Sequence, residues 1–294
     1  MKDSPSTIAI LLLLLLSLIW GTSYILIKQG LKVFGPDEVG ALRVAVASLF
    51  LLPVAITRVK ELKQTDYWKL LASGLMGIFI PAFLFATAQT RIDSSVAGIL
   101  NSLTPLFTMI IGSLIYKQKF GILPIIGILL GFGGVLMLVF NRSQGDIGQV
   151  NLYALLIVIA CFLYAANINL IKFKIPDLPS ITITSVSILF IGPLAFIYLL
   201  AFTDFTQKFS THPDAWRALG FIALLGLMST AIAILILNKL VKMTSPMFVS
   251  SVNYIVPIVS VMWGVVDGEK LGASHFIGMA AIIGGVYLVN YKKS

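Results

Sequence analysis

Ten stretches of about 20 mainly apolar residues, parted by short charged or Pro-marked connections, constrain this chain more than any other feature. They lie near 8–27, 38–57, 70–89, 96–115, 120–140, 150–171, 180–202, 218–237, 246–266 and 271–290. A hydrocarbon core about 30 Å thick takes roughly 20 residues of helix, and a helix satisfies its own backbone groups where no water can. Composition agrees, because 58% hydrophobic and 11% charged residues leave too little polar side chain to wrap a soluble domain of this 294-residue chain. The expected fold is an all-α polytopic membrane protein of ten transmembrane helices. The first stretch follows Lys2 and contains Leu11 to Leu16, the outline of a secretory signal. It runs on into Trp20, Gly21 and more apolar residues without a small-residue cleavage pattern, so it is read as a retained helix.

The formal charge of +9 does not point to nucleic acid, since no soluble face exists on which a basic footprint could form. Orientation in the bilayer accounts for it. With span ends assigned to alternate sides, thirteen Lys and Arg fall on one side, among them Arg58, Lys69, Lys172 and Lys239. Seven fall on the other, among them Lys28, Arg91, Lys208 and Lys270. The positive-inside rule then puts both termini in the cytoplasm of an inner (plasma) membrane protein. The lone Cys161 excludes an internal disulfide, and His212 and His275 have no zinc-ligand spacing and read as interfacial polar residues. No metal or cofactor is expected.

The chain repeats itself. "NSLTPLFTMIIG" at 101–112 aligns without gaps on "NYIVPIVSVMWG" at 253–264, an offset of 152 that pairs Asn101 with Asn253, Pro105 with Pro257 and Gly112 with Gly264. After the loss of one residue, "QKFG" at 118–121 meets "EKLG" at 269–272, and Gly127, Gly133 and Gly134 meet Gly278, Gly284 and Gly285. A weaker match sets "SYILIK" at 23–28 on "NINLIK" at 167–172. Five spans per copy is an odd number, so the second copy enters the membrane from the opposite side. Such inverted repeats typify alternating-access carriers with a midplane site between the halves.

Trp20 and Gly21 in the first span, Pro36 with Arg43 in the second, and the doubled Asn/Pro/Gly pattern before a short charged turn and a Gly-rich helix carry a resemblance. Over essentially its whole length the sequence resembles the drug/metabolite transporter superfamily in its EamA-like branch. The resemblance implies two five-helix repeats, 1–142 and 143–294, and a secondary carrier exporting or exchanging a small organic metabolite such as an amino acid. The family pattern often has Glu in the turn after the fourth and ninth spans. Here Glu269 keeps it and Gln118 replaces it, which favours a helix-end or interfacial role.

Candidate site residues follow from mid-span polarity. Pro105 and Pro257 each remove a donor and free the carbonyl four residues earlier, on Asn101 and Asn253, and both are expected to break their helices and serve in gating. An amide beside a freed acceptor is too costly to face lipid, so both are expected at a cavity, with interhelical packing as the alternative. Tyr254 is grouped with them. Arg43 is read as a charge inside a span. It can snorkel to the interface, attract a substrate carboxylate or phosphate, or clasp the opposite half when the outer gate closes. Trp20, Ser23 and Tyr24, with Tyr164, Asn167 and Ile168 at matching places, form stripes that could line a cavity or belong to an interface belt. The glycines around Gly127 and Gly131 are expected to hold each repeat together or to join protomers of a homodimer.

Away from their ends the spans hold no paired Asp, no Ser with His and no metal-ligand helix, which argues against an enzyme. No phosphate loop suggests a pump, and no carboxylate away from a span's end offers a proton relay. A passive channel or facilitator is the alternative to a carrier. The expected partners are a small-molecule substrate and the lipid bilayer.

Overall fold

The computed structural model describes residues 6–117, 121–139, 152–244 and 252–290. Every element described is helical. Helices α1 (Thr7–Gly30) and α2 (Pro36–Arg58) lead to α3 (Gln64–Gly74), which passes through a π-helical turn, Leu75–Phe79, into α4 (Ile80–Ala88). Next come α5 (Ser94–Asn101), α6 (Thr104–Leu114), α7 (Ile122–Val139), α8 (Leu152–Lys174), α9 (Ser180–Ala201) and the short α10 (Phe205–Thr211). Helix α11 (Ala215–Leu224) passes through a second π segment, Leu225–Ile232, into α12 (Ala233–Met243), before α13 (Val252–Val266) and α14 (Ala273–Asn290).

Seven helical runs are long and apolar enough to cross a membrane: Thr7–Gly30, Pro36–Arg58, Gln64–Ala88, Ser94–Leu114, Leu152–Lys174, Ser180–Ala201 and Ala215–Leu240. The chain is therefore a multi-pass membrane protein. Where the other three spans were expected, the described residues hold shorter apolar helical stretches, Ile125–Gly134, Ile255–Val266 and Ala273–Gly285. Helix α7 borders residues 118–120 and 140–151, and α13 borders 245–251, all outside the described residues.

Local chemistry sets the helix ends. The Ser6 hydroxyl accepts from the Ala9 amide at 3.3 Å and starts α1, while Lys28 lies in its last turn, where the helix dipole favours a cation. Pro36 opens α2 with its fixed φ, and Glu38 reaches back to accept from the Gly35 amide at 2.6 Å. At the end of α13, Gly268 adopts φ +81°. Its amide donates to the Val265 carbonyl at 3.1 Å and that of Glu269 to the Gly264 carbonyl at 2.9 Å. That doubled bond is a Schellman ending, which needs a residue free to enter the left-handed region.

The two repeated prolines are handled differently. Before Pro105 the span breaks at Ser102–Leu103, and the Thr104 hydroxyl donates at 3.0 Å to the Asn101 carbonyl that the proline freed. Pro257 lies inside an unbroken α13, which corrects the expectation that it breaks its helix. Its freed acceptor, the Asn253 carbonyl, instead receives the Ser102 hydroxyl at 3.0 Å. The side chains explain the difference: the second copy has Val256 where the first has Thr104, and a valine cannot donate.

Helices of the two halves interleave. Helix α2 packs along α9, α7 along α14 and α5 against α13. Helix α1 lies on α13 and on α11–α12, while α8 lies on α5–α6 and on α4. The α7–α14 seam is made of glycines. A Cβ on Gly134 would stand 2.7 Å from the Gly278 carbonyl oxygen, and one on Gly285 would collide with Gly127 and Gly131. These glycines thus fasten the first half of the chain to the second, not each repeat to itself, because only a missing side chain lets the two backbones approach so closely.

Candidate functional site

Between the halves lies a cavity of about 300 Å³, within the range of ligand pockets. Trp20, Ser23, Tyr24, Arg43, Asn101, Pro105, Tyr164, Asn167, Ile168 and Asn253 all line it, so the structure gathers residues spread over most of the chain. Pro257 is buried and does not line it, and the side chain of Tyr254 lies outside the described residues.

Arg43 does not snorkel. It stands seven residues into α2, about 10 Å from the helix start, and its Nε donates to the Thr230 hydroxyl at 2.7 Å across the seam. Thr230 belongs to the second π segment. A π turn leaves backbone carbonyls off the usual ladder, and one of them, on Ser229, accepts from Trp20 Nε1 at 3.2 Å. The first π segment is used in the same way from the other side. Asn167 of α8 packs directly on Gly77, where any Cβ would collide with its amide. The Asn167 Oδ1 and the Ser187 Oγ are both buried without a hydrogen-bond partner among the described residues. Toward α12 the Asn238 amide donates to the Thr184 hydroxyl at 2.8 Å, and the cavity reaches exposed Lys172. Among the described lining residues there is no carboxylate.

Opposite the Lys172 end, aromatic rings and a charged cluster close the path. Tyr24 packs on Phe85 at 5.8 Å and Phe85 on Tyr164 at 6.1 Å between ring centroids. Beyond them Lys28 Nζ lies 2.7 Å from Asp267 and 2.8 Å from Glu269. Glu269 also accepts from the amides of Ser94 and Ser95 at 2.9 and 3.1 Å and from their hydroxyls at 2.6 Å each. A carboxylate from the second half therefore caps the N-terminus of α5 in the first, where the helix dipole favours an anion. Burial alone would raise the Glu269 pKa, but hydrogen bonds from Lys28, Ser94 and Ser95 outweigh it and bring the carboxyl to about 2. Asp93 beside it is pushed up, chiefly by burial and then by the Glu269 charge. At the same end Glu38, 1% exposed in the first turn of α2, pairs with Lys208 at 2.8 Å.

Sequence reasoning missed Phe85, Gly77, Ser187, Ser229, Thr230, Asn238 and Thr184. One signal was available. Gly74-Leu75-Met76 recurs as Gly226-Leu227-Met228 at the same offset of 152, and these triplets lie at the two π segments, where Gly77 corresponds to Ser229.

Comparison with known proteins agrees with this architecture. The profile of the EamA-like transporter family matches residues 7–140 and again 151–291. The chain is 25% identical to an "Uncharacterized transporter" of Archaeoglobus fulgidus, over 93% of this chain and 95% of the relative. It is 26% identical to the "Uncharacterized inner membrane transporter YedA" of Escherichia coli K12, over 95% and 89%. It is 25% identical to the "Uncharacterized transporter YvbV" of Bacillus subtilis, over 100% and 95%. A solved crystal structure shares the fold, with a TM-score of 0.64 at 17% identity over 95% of each chain. The chain is a membrane transporter, not an enzyme, and it belongs to the EamA-like transporter family.

Proposed function

We propose that the chain is a secondary carrier that exports or exchanges a small organic metabolite, such as an amino acid, across the inner membrane by alternating access. Its ten crossings form two inverted five-helix repeats, 1–142 and 143–294, with both termini in the cytoplasm. The observation that carries this reading is the cavity itself: it is lined from both halves, reaches exposed Lys172 at one end, and is shut at the other by a cluster that ties one half to the other. The packing supports the repeat, since the α1–α13 contact has its counterpart in α8 on α5–α6, and α1 on α11–α12 has its own in α8 on α4. A two-fold operator exchanging the halves would generate these pairs. By the positive-inside rule the Lys172 end faces the cytoplasm.

Counterflow in proteoliposomes tests it, with panels of amino acids and organic ions on either side. Labelled substrate should accumulate against unlabelled substrate with saturation, and Asn253→Ala should reduce the exchange. Flux without counterflow would make the protein a channel.

A further inference from the structure

The cavity contains a guanidinium that no carboxylate among the described lining residues neutralises. Among the described residues the only hydrogen bond of Arg43 is from Nε to Thr230, leaving its two terminal nitrogens without a partner. Its charged or ionisable neighbours there are the hydroxyls of Tyr24 and Tyr164, not a carboxylate. The second charge on the lining, Lys172 at the exposed end, is also a cation. A cation entering this cavity meets like charge and, among the described lining residues, no carboxylate that could neutralise it. A neutral compound leaves the guanidinium unpaired in a site from which water must be displaced, and unmet buried charge disfavours binding.

We propose that the cavity takes organic anions and zwitterions, holding a carboxylate or phosphate oxyanion against the terminal nitrogens of Arg43. This rests on the carrier reading above and adds to it the charge class of the substrate. A planar guanidinium whose Nε is fixed by Thr230 presents its remaining N–H fork in one orientation, which suits a bidentate oxyanion. The rings of Tyr24, Phe85 and Tyr164 lie beside it and receive the apolar remainder of the ligand. Asn167 Oδ1 and Ser187 Oγ, buried and unpartnered, offer sites for a second polar group such as an ammonium. A cavity of about 300 Å³ restricts the ligand to a small molecule.

The test uses ligands of one carbon frame and different charge on the whole protein in nanodiscs, read by thermal-shift titration. Phenylacetate, benzylphosphonate, phenylacetamide and 2-phenylethylamine form an aromatic set, and isovalerate, isovaleramide and isoamylamine an aliphatic one. In at least one set the carboxylate or phosphonate should bind on the order of a hundredfold more tightly than the amide and amine, the ratio expected from losing a buried charge partner. Whichever anion binds identifies carboxylate or phosphate as the recognised group. Arg43→Gln should erase that preference, Arg43→Lys should keep part of it, and Lys172→Gln should leave most of it. If Arg43→Gln does not fold, Thr230→Val, which frees the guanidinium plane, should weaken the anion and not the amide.

Equal binding of amide or amine, an anion preference that survives Arg43→Gln, or no binding by any anion in either set would each overturn the proposal. Counterflow of a neutral or cationic solute alone would overturn it while leaving the carrier standing. Anion binding without counterflow would leave the site standing and remove the carrier.

Discussion

Glu269 holds the closed end because it answers two needs at once, a capped helix and a paired lysine. Its pKa of about 2 lies below the ordinary carboxylate value near 4.3, so its contribution to stability is complete above about pH 4.3 and lost as pH falls toward 2. The difference in Tm between the unmodified protein and Glu269→Gln should therefore stay constant from pH 5 to 8 and shrink below about pH 4. A difference that titrates between pH 5 and 8 would show that Glu269 is not held as described. A second residue-scale expectation concerns Gly77. Gly77→Ala should drive Asn167 off the first π segment and cost about 2 kcal/mol or more of stability, with transport lost. Gly220→Ala, with open space around its Cβ position, should be neutral or stabilise α11 by up to about 1 kcal/mol. Paired thermal melts of the two variants check both.

Among the elements, the broken α5–α6 span and the intact α13 are joined by packing and by the Ser102 hydroxyl. Ser102→Ala removes the donor to the Asn253 carbonyl and should cost about 1 kcal/mol in a denaturation midpoint. Thr104→Val should cost less, because the Cys161 thiol also reaches the Asn101 carbonyl, at 3.8 Å. On α7, adjacent glycines give a built-in comparison: Gly134→Ala meets the α14 backbone and should lower Tm, whereas Gly133→Ala meets nothing and should not. Much of this scale was legible from sequence. Apolar runs placed the helices, and mid-span polarity picked out Arg43, Asn101, Asn167 and Asn253 as cavity residues. The repeated Gly-Leu-Met triplet marked where the π segments lie but not that they are π-helical, since no propensity rule marks a one-residue slip in an apolar run. Nor was the partner of Gly134, because periodicity says which residues share a face and not which helix that face meets.

For the molecule as a whole, the repeat is unequal at its two ends. Glu269 has Gln118 as its counterpart, and at the offset of 152 the Ser94–Ser95 pair that it caps corresponds to Pro246–Met247. At the aligned positions the sequence therefore places an acid and a hydroxyl pair at one end and neither at the other, in keeping with a structure closed at Lys28 and reaching exposure at Lys172. Sequence alone exposed this inequality through Gln118, but the hydroxyls that make Glu269 a lock are 174 and 175 residues away, and only the fold brings them together.

Accessibility of the cavity from each side tests alternating access most directly. With Ser187→Cys in a Cys161→Ser background, a membrane-impermeant maleimide should label from the cytoplasmic side and only slowly from the other. Adding Glu269→Gln should speed labelling from the other side while the vesicles stay tight to small ions. Equally fast labelling from both sides with an ion leak, or labelling from the outer side that ignores Glu269, would contradict the account.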